Sequence, residues 1–85
     1  MNTIEKLSKL LEEMEETEIQ VYENYRALYD EFRAILKSFI KDDKNIKELN
    51  KEERTALGNC ILKACDMRVI LKEKYEELGK ELLCR

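Results

Sequence analysis

The sequence predicts an all-α protein: an antiparallel helical hairpin in which two long helices, joined by a turn and a short helical segment, dimerise into a four-helix bundle. Three observations carry this expectation. Only two glycines and no proline interrupt 85 residues, of which 41% are charged and 44% apolar, a composition typical of long helices and coiled coils. From Ile4 to Phe39, apolar residues recur in alternating steps of three and four. A second stripe of the same period runs from Leu57 to Leu82, and such stripes mark one buried helical face.

The first stripe reads Ile4, Leu7, Leu11, Met14, Glu18, Val21, Tyr25, Leu28, Phe32, Ile35 and Phe39, with Glu18 its single polar member. It predicts one helix over about residues 2–41, which at 1.5 Å per residue would be on the order of 60 Å long. Lys41-Asp42-Asp43-Lys44-Asn45 then reads as a turn, because Asp and Asn side chains compete for nearby backbone amides. Ile46 and Leu49 place a short helical segment within about 42–49. Asn50 followed by Glu53 has the spacing of a helix cap with its reciprocal carboxylate. The last helix should therefore run over about 50–84, and residues 1–85 should form one domain.

The second stripe is Leu57, Ile61, Ala64, Arg68, Leu71, Tyr75, Leu78 and Leu82, again with one polar member. If the chain folds back near residue 43, Ile4 meets Leu82, Leu7 meets Leu78, Leu11 meets Tyr75 and Met14 meets Leu71. Glu18 then meets Arg68, a charged layer whose role would be to fix the register. A bend near Asn50 would let Ile46 and Leu49 cover Phe32, Ile35 and Phe39.

Nine of the twelve residues from Cys60 to Leu71 are apolar, more than one neighbouring helix covers. Leu62, Val69 and Ile70 lie off the predicted seam. Together with Tyr22 and Tyr29, which flank the core positions Tyr25 and Phe32, they are the expected interface residues, for a second copy in a twofold dimer or for another protein's helix. Arg26 and Arg33 beside the tyrosines leave open a stacking platform for a nucleotide. Glu12, Glu13, Glu15 and Glu16 form an acidic face for a basic partner.

The chemistry-bearing residues exclude more than they assign. The glutamate spacing resembles that of di-iron bundles, but those need Glu-x-x-His and the chain has no histidine, so neither metal nor cofactor is expected. Cys60 and Cys65 lie about 140° apart around a helix and cannot chelate together. Free thiols, no apolar run longer than three residues and no secretory signal at the N-terminus make a cytoplasmic protein the expectation. The net charge of −3 argues against direct nucleic-acid binding. No phosphate loop, dinucleotide fingerprint or catalytic pairing is present, so the protein is not expected to be an enzyme. The functional expectation is a small self-associating interaction protein that regulates, inhibits or chaperones another macromolecule, as bacterial or phage regulators do. The alternative is a nucleotide or small-ligand binder using the Tyr/Arg face at a subunit junction.

Overall fold

The computed structural model describes residues 2–17 and 22–84, which form five α-helices and, among those residues, no strand. Helix α1 spans Thr3–Glu16. Asn2 caps it, its side chain accepting the Glu5 N–H at 2.8 Å, which satisfies one of the first free amides of the helix. At its other end Thr17 turns extended, with φ −76° and ψ 121°. The Thr17 hydroxyl donates to the Glu13 carbonyl at 2.7 Å, an arrangement that holds the last turn without continuing it. Ile4, Leu7, Leu10, Leu11 and Met14 bury one face, the predicted stripe plus Leu10.

Helix α2 spans Tyr22–Lys41. The long first helix expected over about 2–41 is therefore two helices, and they run antiparallel. Lys6 pairs with Glu31 at 3.5 Å, Thr3 shares a groove with Ile35 and Ser38, and Glu13 and Glu16 share one with Asn24 and Leu28. The physical reason is burial. A straight helix of about 60 Å would expose most of its stripe in a monomer, whereas the folded-back pair covers it within dimensions of 39 × 27 × 20 Å. Phe32 and Leu36 are fully buried, and Tyr25, Leu28, Tyr29, Ile35, Phe39 and Ile40 pack half-buried on the same core.

Helix α3, Asp43–Lys47, begins at an Asp42 cap whose side chain accepts the Lys44 N–H at 3.0 Å. It brings Ile46 and the buried Leu49 onto the core, as the covering role for those two residues required. Helix α4, Lys51–Asp66, opens on the capping box of Asn50 and Glu53. Leu57, Ile61 and Ala64, the predicted seam, are completely buried.

The last helix also divides. Helix α4 stops at Met67, the turn 67–71 follows, and helix α5 spans Lys72–Leu83. The stop is a Schellman turn: the Val69 N–H bonds the Ala64 carbonyl at 2.9 Å and the Arg68 N–H bonds the Cys65 carbonyl at 3.0 Å. Helices α4 and α5 pack as an antiparallel pair, with Gly58 against Leu83 and Gly79 against Leu62. The two glycines face each other across this pair.

The expected register fails with the long helices. Leu71, placed opposite Met14, is 61% exposed. Glu15 pairs with Lys63, and Ser8 lies beside Cys60, so α1 crosses α4 far from the predicted layers. Arg68 is exposed in the turn and belongs to no buried charged layer; Glu18 lies outside the described residues.

Candidate functional site

The break between α4 and α5 makes an elbow, and the elbow gives the molecule its most unusual surface. Arg68 sits at the left-handed position of the Schellman turn with φ 62°, alone among the described non-glycine residues in having a positive φ. That position favours glycine, because a Cβ there crowds the following carbonyl. Three residues on, Leu71 takes the extended N-cap position of α5 and offers no side-chain cap. A cap needs a short polar side chain, so Leu71 contributes nothing to the helix end and stands in solvent.

Between this elbow and α2 lies a cleft of about 390 Å³ lined by Tyr29, Arg33, Cys65, Arg68, Ile70, Leu71, Lys72 and Glu73. It adjoins a second of about 270 Å³, and the two share Arg33 and Ile70; Lys37, Lys74, Tyr75 and Asp30 line the extension. The Arg33 guanidinium stands 5.4 Å from the centre of the Tyr29 ring, its nitrogen 3.5 Å from the phenolic oxygen, and Lys74 stands over Tyr75. Among the described residues, no carboxylate lies within ion-pair distance of Arg33, Lys37, Arg68 or Lys74, while Lys72 pairs with Glu76 at 3.3 Å. Asp30 is engaged by Arg26 at 4.0 Å. Five cations thus line a groove with two carboxylates.

The thiols are not poised for chemistry. Burial pushes the Cys60 thiol up to about 11, against smaller opposing effects from Ser8 and Lys63. Cys65 is also raised, by burial first and then by Glu76 and Asp66. A raised thiol stays protonated at neutral pH and is a poor nucleophile. The described residues hold no cluster of three metal-ligating side chains.

Of the residues singled out from sequence, Tyr29, Arg33 and Arg68 meet in this cleft, and Ile70 lines its floor. Val69 and Ile70 are buried, at 0% and 5% exposure, in the chain's own core, and Leu62 packs on Gly79. The side chain of Tyr22 lies outside the described residues. Glu12 and Glu16 are exposed, Glu13 is half-buried and Glu15 is tied to Lys63, so the acidic face is a separate surface on α1. Sequence reasoning missed Leu71 and Lys72 because it kept α4 and α5 continuous, which put Leu71 in the seam. A larger concavity, about 640 Å³ between Ile46, Arg54 and α5, mixes Lys47, Arg54 and Lys80 with Glu77 and Glu81 and has no single charge character.

No protein-family model matches the chain, and no curated protein and no solved structure matches it. No described helix is long and apolar enough to cross a membrane.

Proposed function

We propose that the protein is an interaction module that binds another protein and so regulates, inhibits or chaperones it, with the elbow as its anchor. The exposure of Leu71 beside the half-buried Tyr29, with Arg33 and Arg68 at its rim, carries the reading. Tyr and Arg around an apolar side chain is the composition of interface anchors, which yield most of their binding energy when a partner excludes water from them. The dimeric four-helix bundle expected from the sequence loses its main support, since the apolar surplus at Val69 and Ile70 is covered within one chain. Self-association through the elbow remains a form of the same reading. Three free cysteines accord with a reducing, cytoplasmic setting.

The test is differential capture. The tagged protein and its Leu71→Asp variant are incubated with host cytosol, and the retained proteins are compared by mass spectrometry. A partner retained by the wild type and lost by the variant is the expected result. Identical captures by both would defeat the reading; with Leu71 61% exposed, a loss reports on the surface and not on the core.

A second reading is a nucleotide or other small anionic ligand in the same cleft. The guanidinium of Arg33, 5.4 Å from the centre of the Tyr29 ring, favours it, and the cleft volume lies within the range of ligand pockets. Thermal shift against a nucleotide panel separates the two, since a ligand at 100 times its dissociation constant adds about 2.7 kcal/mol of stability.

A further inference from the structure

We infer that the elbow groove takes an acidic amphipathic segment of the partner, whose carboxylates meet Arg33 and Arg68 while an apolar side chain seats beside Leu71 and Tyr29. The inference rests on the interaction reading and names the chemistry of the partner. The cations come from separate elements: Arg33 and Lys37 from α2, Arg68 from the elbow, Lys72 and Lys74 from α5. Lys72 is already paired with Glu76 and Asp30 is engaged by Arg26, which leaves Glu73 as the lining carboxylate against Arg33, Lys37, Arg68 and Lys74. Guanidinium groups bind carboxylates through paired, charge-assisted hydrogen bonds, about twice as strong as neutral ones.

Charge alone would suit any anion, and the apolar component narrows the choice. Leu71, Ile70 and the Tyr29 ring lie in the same cleft as the cations, so an occupant that carries only charge would leave Leu71 unpaired. A helix or extended segment with carboxylates flanking an aliphatic side chain satisfies both. The chain's net charge of −3 repels extended polyanions such as nucleic acid, and a short acidic segment needs only the local groove. Arg68 adds a further argument. A guanidinium kept where the backbone favours glycine serves something other than the turn.

Fluorescence anisotropy tests this with a labelled helix-forming peptide bearing leucine on one face and glutamate on the other, and with a counterpart carrying lysine for glutamate. The acidic peptide should bind at least tenfold more tightly than the basic one, and rising salt should weaken it. Arg33→Gln and Arg68→Gln should each weaken it about tenfold; both residues are exposed, and circular dichroism confirms that each variant is folded. Equal binding of the two peptides, or acidic binding indifferent to both substitutions, overturns the inference. A thermal shift with tripolyphosphate that Arg33→Gln and Arg68→Gln abolish, with no peptide binding, overturns it in favour of a small anion. A mass doubling in light scattering that Leu71→Asp abolishes, with no peptide binding, overturns it in favour of a second copy. If Leu71→Asp abolishes partner capture while the arginine variants leave it intact, the interaction reading stands and the acidic segment falls. If the arginines hold the peptide and Leu71→Asp changes no capture, the interaction reading falls.

Discussion

At the residue scale, the cysteines show how burial assigns a role that sequence leaves open. Cys60 is 5% exposed, and its thiol is held up at about 11 against an ordinary value of 9.0. The folded state therefore keeps a proton that the unfolded chain has lost between pH 9 and 11. Since the folded value is the higher one, the stability tied to this proton is complete below pH 9 and is lost as pH rises through the folded value. A shift of this size corresponds to about 2–3 kcal/mol. Urea unfolding at pH 8 and pH 11 should show the wild type losing about that much more than Cys60→Ala, whose side chain does not titrate. Parallel losses in the two proteins would mean the thiol is not buried as described.

At the scale of the elements, α4 and α5 approach closely at two glycines. A Cβ added at Gly58 would lie 2.9 Å from the Gly79 carbonyl oxygen and 2.9 Å from Leu83 Cγ. Backbone cannot move aside as a side-chain tip can. One added at Gly79 would meet Leu62 Cδ2 at 2.9 Å, Leu62 Cγ at 3.0 Å and Ile61 Cγ2 at 3.2 Å, side chains of which the half-buried Leu62 yields more readily than the fully buried Ile61. Alanine gains about 1 kcal/mol over glycine inside a helix, and overpacking costs about 1–3 kcal/mol. Thermal melting should therefore show Gly58→Ala more destabilised than Gly79→Ala; the opposite order would place the two helices wrongly.

The same elements show how far the sequence could be read. The helical class, the Asn50 and Glu53 capping box, the short helix near Ile46 and the buried faces at Ile4 to Met14 and Leu57 to Ala64 were legible, because periodicity and cap chemistry are local. The two breaks were not. Around the first, no glycine or proline marks a stop, and the stripe's single polar member, Glu18, read as a register charge; the other available signal was the alternation of β-branched Thr17, Ile19 and Val21, which are weaker helix formers. At the second, arginine stands where a glycine would announce the turn and leucine where Ser or Asp would announce a cap. Missing the elbow hid the cleft with it, since Leu71 and Lys72 face Tyr29 and Arg33 only once α5 has turned.

At the scale of the whole molecule, the fold spends its apolar residues on itself and leaves the elbow as the surface that its own packing does not explain. A chain with few buried residues to spare keeps an aliphatic side chain in solvent and a guanidinium in a left-handed turn, and natural sequences tend to break local rules where function requires it. The residue that joins stability to binding in this account is Arg68, so Arg68→Gly is the most direct test. Melting temperature and partner capture are measured on the same preparation. Relief of the left-handed conformation is worth about 1 kcal/mol, so the melting temperature should rise by about 4–8 °C while the partner held by the wild type is lost. A variant that melts no higher than the wild type and captures the partner equally well would contradict the account.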